Sequence, residues 1–265
     1  MIYEKWGYPI FRCNVCRLGS TDVGAGFDVA SIYSEDYFQG GCKDGYVDYL
    51  KSEAVLRKEF RRTLHQLCAH GLQSGHLLEV GSAYGFFLLE AQEYFQCTGI
   101  EISETAVQSC HSRGLDVHCG VVDRNFLREH GPFDAIAMLD VIEHLQNPAE
   151  TLSLLYEALA KNGSIVISTG DWNSLSARIM GRHWRLMTPP QHLFYFPRRT
   201  LVALLEKIGF EVVHSSRPWK LVPLGLAAYQ LGNRLGWRLP TLELLNSLAV
   251  PLNLFDTMQL IARKG

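Results

Sequence analysis

The chain has 265 residues, of which 47% are apolar and 20% are charged, and its formal net charge at pH 7 is −2. This length suits one sizeable α/β domain with a small addition, and the near-neutral charge argues against a basic groove that binds nucleic acid. The most apolar stretch, residues 221–262, is broken by polar residues and prolines. It falls short of the roughly 18 apolar residues of a membrane span, so we expect no transmembrane segment.

Residues 1–45 are predicted to be an N-terminal extension. Within it, Cys13 and Cys16 have the spacing of a zinc knuckle, but a structural zinc needs four ligands, and Cys42 follows without a C-x-x-C partner. We therefore predict no bound metal, with Cys13 and Cys16 as the residues that would hold one. The odd total of seven cysteines, and a start without the apolar region of a signal peptide, indicate a reducing, cytoplasmic setting.

Residues 46–70 are predicted to form one long helix with a solvated charged face. From residue 76 onward, short apolar runs alternate with helical stretches, which is typical of a parallel sheet covered by helices. The predicted strands are His76–Val80, Cys97–Glu101, Leu115–Cys119, Phe133–Leu139, Ser164–Thr169, Glu211–Ser215 and Thr257–Ala262. The predicted helices between them are Tyr84–Tyr94, Ser103–Ser112, Pro148–Ala160 and Arg199–Ile208. Residues 220–252 are predicted to be an insertion of two short apolar helices.

The most informative segment is the glycine turn after the strand at 76–80. The chain breaks at Gly81, turns through Gly85 and enters a helix, which is a typical corner for a polar or anionic ligand. A dinucleotide fingerprint would need glycines where Ala83 and Phe86 stand, and no Gly-Lys-Ser/Thr follows for a phosphate loop. The pattern that remains is E-x-G-x-x-x-G, beginning at Glu79.

Glu101 ends the second strand about 20 residues beyond Gly81, a position that faces the ribose in doubly wound folds. An ionised carboxylate only accepts hydrogen bonds and can take both ribose hydroxyls. A lone glutamate at a strand end is otherwise a solvated surface residue, but its spacing from the glycine turn favours ribose binding.

Three later segments follow in order: Gly120–Asp123, Phe133–Leu145 with its D-x-x-E-H ending, and Gln191–Phe196. Together with the glycine turn they resemble the class I S-adenosyl-L-methionine (SAM)-dependent methyltransferases, in the branch of ubiquinone-biosynthesis and sugar methyltransferases. The resemblance covers most of residues 30–215. It implies a doubly wound, seven-stranded Rossmann-like α/β sheet with strand order 3-2-1-4-5-7-6, the last strand antiparallel, and helices on both faces. The methyltransferase domain would span residues 46–265, with a lid at 170–198.

The resemblance also implies SAM as the cofactor. Its binding residues would be Glu79, Gly81, Ser82, Ala83, Tyr84, Gly85, Phe86, Phe87, Glu101, Ile102, Val121, Val122, Asp123, Leu139 and Asp140.

The candidate catalytic residues are His192, His144 and Asp140, because they follow strands at the carboxyl edge where such folds bind ligands. His192 is the first candidate base, since imidazole titrates near neutral pH. In the lid, Trp172 and Trp184 would stack on the acceptor and Arg185 would hold an anionic group, with Asp171 beside them. Alternatively, His192 is a structural histidine packed among aromatic residues, the tryptophans fill the core beneath the lid, and His144 only hydrogen-bonds the lid.

Asp140, Glu143 and His144 match the spacing at which ubiquinone-type enzymes hold a divalent metal, although aspartate replaces glutamate at position 140. The segments Phe11–Gly19 and Ile32–Phe38 resemble the second half of a zinc ribbon found on some sugar methyltransferases. Because its first knuckle is absent, residues 1–45 are interpreted as a degenerate remnant.

The first functional hypothesis is SAM-dependent methylation, on oxygen, of a small acceptor such as a sugar, a nucleotide-linked sugar or a phenolic metabolite, by a monomer or homodimer. The alternative is a SAM-binding protein without turnover, which acts through a partner or a lipid surface that residues 221–254 contact. A nicotinamide-dependent oxidoreductase is disfavoured by Ala83 and Phe86.

Overall fold

The computed structural model describes residues 1–27, 49–223 and 249–265. The strands are β1 (Tyr3–Lys5), β2 (Tyr8–Arg12), β3 (Gly19–Thr21), β4 (His76–Val80), β5 (Gln96–Glu101), β6 (Val117–Cys119), β7 (Phe133–Leu139), β8 (Leu159–Gly170), β9 (Phe194–Tyr195), β10 (Phe210–Ser216), β11 (Lys220–Pro223), β12 (Ala249–Leu252) and β13 (Thr257–Lys264). The helices are α1 (Glu53–Ala69), α2 (Phe86–Ala91), α3 (Glu104–Ser112), α4 (Arg124–His130), α5 (Pro148–Ala158), α6 (Leu175–Met180) and α7 (Arg198–Ile208).

The central sheet has seven strands in the order β10-β13-β8-β7-β4-β5-β6. Neighbours from β8 to β6 pair in parallel, whereas β13 runs antiparallel to both β8 and β10. The predicted strand order and reversed last strand are therefore confirmed. The starts of two helices also follow the sequence. Ser103 caps α3 by accepting from the Ala106 amide, and Pro148 is the first residue of α5.

Alternation of side chains along the strands divides the core into two layers. On one face, Leu78 and Ile136 belong to a buried cluster with the apolar sides of α5 and α7. On the other face, Leu77 and Ala135 belong to a cluster with α1, α2 and α3. The sheet is therefore covered by helices on both faces, as predicted. No helix within the described ranges is long and apolar enough to cross a membrane.

Charged residues on α1 do more than face solvent. Arg57 and Arg61 both pair with the carboxylate of Glu90 on α2, whose side chain is almost fully buried. A buried carboxylate requires such partners, so the predicted solvated face of α1 in part anchors this helix to the domain.

Two regions differ from the sequence predictions. The strands β1, β2 and β3 form a four-stranded antiparallel sheet with β9, so the N-terminal extension is paired with the lid. The ends of the segment predicted to be helical, residues 220–252, are the antiparallel pair β11 and β12. The interior of that segment and the predicted domain boundary at 45/46 lie outside the described residues.

Candidate active site

The turn between β4 and α2 requires its glycines. Gly81 and Gly85 have φ of 73° and 75°, in the left-handed region that favours glycine. A Cβ added at Gly81 would lie 2.6 Å from Cγ2 of Val141, and one at Gly85 would overlap Cδ1 of Leu115. The amide of Gly81 donates to the carbonyl of Ile100 on β5 at 2.8 Å. The turn is thus closely packed against the neighbouring strand ends.

Glu101 joins the two loops at this edge of the sheet. Its side chain is buried, with Oε2 accepting from the amide of Ala83 at 2.8 Å and Oε1 accepting from the amide of Ser103 at 2.9 Å. Burial raises the pKa of Glu101, and the backbone hydrogen bonds oppose that rise. Each carboxylate oxygen can accept a second hydrogen bond, so the group can orient the glycine turn and still bind hydroxyls.

Polar atoms beneath the turn fit a polar cofactor. Oε2 of Glu79 and Oγ of Ser82 are buried, and neither has a hydrogen-bond partner within the described parts of the chain. Burial, followed by the charge of Glu101, raises the pKa of Glu79 well above its ordinary value, which favours the protonated carboxyl group, a form that can donate a hydrogen bond. Unsatisfied buried polar atoms each cost about 1–3 kcal/mol, which a polar ligand at the turn would offset.

Several residues predicted to bind SAM have other positions. Phe87 belongs to the core cluster under α3, and Tyr84 and Phe86 pack with Leu56 of α1. Their side chains stabilise the turn from behind, because all three are buried in apolar clusters. Asp123, also among the predicted cofactor-binding residues, caps α4 by accepting from the Phe126 amide at 2.7 Å.

Of the remaining predicted cofactor residues, Val121 is 65% exposed beyond the end of β6, while Val122 packs at the edge of the core. Ile102 is partly buried just beyond β5. Leu139 ends β7 and packs against the core cluster that contains α3. These residues lie along the carboxyl edge of the parallel strands, beside the turn.

Two histidines predicted to be catalytic face each other. The rings of His144 and His192 are edge to face, with centroids 4.7 Å apart. Nδ1 of His144 donates to the carbonyl of Gln191 at 2.9 Å, so Nε2 is the acceptor atom of its neutral ring. The ring of His192 hydrogen-bonds the carbonyl of Leu186. The hydrogen bond from His144 to the lid is thus present, and a catalytic role for His144 stays a prediction.

Both imidazoles are neutral at physiological pH. Burial lowers the pKa of His144 to about 4, against the opposing effects of the Gln191 carbonyl and Asp140. Burial, and then the neighbouring His144, lower the pKa of His192 well below its ordinary value. The expectation that His192 titrates near neutral pH is therefore wrong, although a neutral imidazole can still accept a proton.

The metal set implied by the resemblance is not the set that the structure brings together. Glu143, His144 and His192 each offer one ligand atom, and these atoms lie within 4.8 Å of one another. Asp140 instead accepts from Oγ of Ser168 at 2.9 Å, with a backbone φ of 56°. Asp140 is thus held by Ser168 and is not part of this group of potential metal ligands.

Asp256, directly before β13, organises the lid. Its carboxylate accepts from Nε1 of Trp184 at 3.1 Å and, through two hydrogen bonds of 2.9 Å, from Arg185. Trp184 is 1% exposed, so it fills the core beneath the lid and does not stack on an acceptor. Arg185 is therefore paired with Asp256 through Nε and Nη2, and its role as an anion ligand stays a prediction.

Asp171 also has a structural role. Its buried carboxylate accepts from the amide of Asn173 at 3.0 Å and from the side chain of Arg217 at 3.2 Å. Trp172 is partly buried, with its ring against Gly19 and 5.6 Å from the ring of Tyr195. Asp171 therefore fixes the start of the lid, and Trp172 contacts the N-terminal sheet.

Cys13 and Cys16 lie exposed in the turn between β2 and β3. The turn is closed by the Arg17 amide donating to the carbonyl of Cys13 at 3.1 Å. Hydrogen bonds from Cys16 and Val15 lower the pKa of Cys13. Neither cysteine belongs to a group of three metal-ligand side chains among the described residues, and Cys42 lies outside them.

The sheet order, the glycine turn after β4 and the glutamate that ends β5 define a SAM-dependent methyltransferase domain. Residues 53–215, more than half of the chain, match the family described as “Methyltransferase domain”. The chain belongs to this family.

A curated relative is the ubiquinone biosynthesis O-methyltransferase of Alkalilimnicola ehrlichii, which is 28% identical over 134 residues, 47% of this chain and 54% of that protein. The chain thus spans about half the length of this relative. Among solved structures, a SAM-dependent methyltransferase from Archaeoglobus fulgidus has a TM-score of 0.57 at 22% identity, covering 83% of this chain and 100% of that one. Magnesium protoporphyrin IX methyltransferase from Synechocystis PCC 6803 has a TM-score of 0.58 at 14% identity, covering 89% and 98%. These two structures support the fold alone.

Proposed function

We propose that the protein transfers the methyl group of SAM to an oxygen atom of a small acceptor, such as a sugar, a nucleotide-linked sugar or a phenolic metabolite. The observation that carries this proposal is the pair of neutral imidazoles, His144 and His192, at the carboxyl edge of the sheet that also holds the glycine turn. An alcohol or phenol must lose a proton as it is methylated, whereas positioning alone is enough for other nucleophiles.

The cofactor would contact the turn from Gly81 to Gly85, with its ribose hydroxyls on the carboxylate of Glu101. SAM supplies an activated methyl group when bound. The carboxyl group of Glu79 and the hydroxyl of Ser82 would then donate to, or accept from, polar groups near the turn. Val121, Ile102 and Leu139 would border the adenine.

In the reaction, an acceptor oxygen forms a bond to the methyl carbon while the carbon–sulfur bond breaks, leaving S-adenosylhomocysteine. His192 would take the hydroxyl proton on its acceptor nitrogen. The charge of Asp140 favours the resulting imidazolium, because it raises the pKa of both histidines against the effect of burial. His144 would orient His192 through their edge-to-face contact.

The name of the curated relative, an O-methyltransferase of ubiquinone biosynthesis, favours oxygen as the methylated atom. Free thiols at Cys13, Cys16, Cys68, Cys97, Cys110 and Cys119 favour a reducing, cytoplasmic setting. The protein would act as a monomer or a homodimer. The alternative is a protein that binds SAM without turnover and acts through residues 221–254.

The test measures S-adenosylhomocysteine released from SAM with a panel of hydroxylated sugars and phenols. The wild type should release it with at least one acceptor, and His192→Ala should lower the rate about 100-fold or more, the usual contribution of a general base. His183→Ala is the matched control, because His183 lies in the same lid with an exposed side chain. Equal rates for wild type and His192→Ala would contradict the role of His192. Full activity in the presence of a chelator would show that the reaction needs no bound metal ion and would leave the histidines as the base.

A further inference from the structure

The N-terminal sheet holds the segment that carries His192. Strand β3 pairs with β9, with Gly19 opposite Tyr195 and Ser20 opposite Phe194. Beyond this pairing, the amide of Thr21 donates to the carbonyl of Leu193 at 2.9 Å. The hydroxyl of Thr21 donates to the carbonyl of His192 at 2.7 Å. The last residue of β3 therefore binds the backbone of His192 itself.

These hydrogen bonds are shielded from water. Thr21 is 8% exposed and Tyr195 is buried beside it. The two hydroxyl oxygens are 3.2 Å apart, and because Thr21 gives its only hydroxyl hydrogen to His192, Tyr195 is the donor between them. Loss of the Thr21 hydroxyl would leave both the carbonyl of His192 and the hydroxyl of Tyr195 without this partner, which is costly for buried polar groups.

The same short segment is held from the opposite side by the turn after β7. The amide of Leu193 donates to the carbonyl of Glu143 at 2.8 Å, and Nδ1 of His144 donates to the carbonyl of Gln191 at 2.9 Å. Residues 191–193 are thus fixed between the methyltransferase core and the N-terminal sheet. This backbone carries the ring of His192, which contacts the Leu186 carbonyl on one side and His144 on the other.

We propose that Thr21 is a positioning residue for His192. The N-terminal strands would then help to form the acceptor side of the site. The hydroxyl of Thr21 fixes the backbone from which the imidazole is directed at His144. The effect on turnover rests on the proposed function, whereas the effect on the ring's orientation does not. A degenerate, dispensable remnant would have no such effect.

The test observes the His192 ring by nuclear magnetic resonance of protein labelled with ¹⁵N-histidine, in buffer containing a chelator, with His192→Ala to assign its signals. In the wild type we expect one tautomer, in which the nitrogen that bonds the Leu186 carbonyl carries the proton. Thr21→Val removes the hydroxyl with little change in volume and should replace that pattern by an average of two tautomers. Thr21→Ser keeps the hydroxyl and should retain the wild-type pattern.

Thr63→Val is the matched control for lost stability. Thr63 is also 8% exposed, and its hydroxyl oxygen accepts from the side chain of Gln259 at 2.9 Å, away from the lid. It should lower the melting temperature while leaving the His192 signals unchanged. If Thr21→Val does not fold, Tyr195→Phe, which removes only the second hydroxyl, should move the signals in the same direction by a smaller amount.

Unchanged His192 signals in a folded Thr21→Val protein, or in Tyr195→Phe when only that variant folds, would overturn the proposal. The proposal would also be overturned if Thr63→Val changed the His192 signals as much as Thr21→Val does. With an active acceptor, Thr21→Val should lower kcat about 10-fold or more while the Kd for SAM stays within about 2-fold, as expected for misplaced catalytic geometry. Absence of any turnover would reject the proposed function and leave the spectroscopic result intact.

Discussion

Replacement of Gly85 by alanine should damage the cofactor turn by two separate effects. Its φ of 75° lies in the left-handed region, where a Cβ is strained. The added Cβ would overlap Cδ1 of Leu115 and lie 3.0 Å from Sγ of Cys110. Leu115 is 4% exposed in the core under α3, so its side chain has little room to move away.

The two effects can be estimated separately. The left-handed backbone costs a non-glycine residue about 1–2 kcal/mol. Overpacking of a well-filled core typically costs about 1–3 kcal/mol more. Gly85→Ala should therefore lower the free energy of unfolding by about 2–5 kcal/mol. It should also shift the backbone of the turn at the proposed SAM site.

Gly24→Ala isolates the backbone effect, because Gly24 has a φ of 74° and a Cβ there would meet nothing within 4 Å. Urea unfolding should give Gly24→Ala a loss of only about 1–2 kcal/mol. Calorimetry should show unchanged SAM affinity for Gly24→Ala and a loss of at least about 10-fold for Gly85→Ala, or about 1.4 kcal/mol. Equal losses of stability and unchanged SAM affinity in both variants would refute this account of the turn.

Three further predictions concern single side chains. Glu101→Gln should weaken SAM binding about 10- to 100-fold in calorimetry, because hydrogen bonds to a charged group are the stronger ones. Glu104→Gln, on the exposed first turn of α3, should leave the affinity for SAM unchanged. Equal affinities of the two variants would contradict ribose binding by Glu101. Asp256→Asn should lower the free energy of unfolding by about 1–3 kcal/mol, since it weakens the hydrogen bonds to Trp184 and Arg185; an unchanged urea midpoint would contradict this. His144 has a folded-state pKa of about 4, below its unfolded value, so its contribution is complete above about pH 6.5 and is lost as pH falls. At about pH 5 that loss should be about 2 kcal/mol, and His144→Asn should remove this part of the pH dependence.

The sheet could be predicted from the sequence because its signals are local. β4 and β7 begin and end where their apolar runs do, and the glycine turn and Ser103 mark where the next elements begin. The helix predicted from Tyr84 to Tyr94 is the shorter α2, because Gly85 takes a left-handed conformation and becomes its N-cap. The helix α4 was not predicted, although Asp123 is a typical cap for it.

Contacts between distant segments could not be predicted in the same way. Asp256 binds Arg185 across 71 residues and Thr21 binds His192 across 171. Neither an aspartate directly before a strand nor a threonine at the end of one identifies its partner. The sequence therefore could not show that Trp184 is buried or that Arg185 is paired, since both depend on Asp256, and the catalytic role of the histidines stays a prediction.

The central claim is that SAM binds at the glycine turn and gives its methyl group to oxygen. The most direct measurement incubates the protein with SAM carrying a deuterated methyl group and the panel of hydroxylated acceptors, followed by mass spectrometry. We expect an acceptor that gains the labelled methyl group on oxygen, in amounts equal to the S-adenosylhomocysteine formed. SAM that is neither bound nor consumed would contradict it, and SAM that is bound but never consumed would favour the protein without turnover.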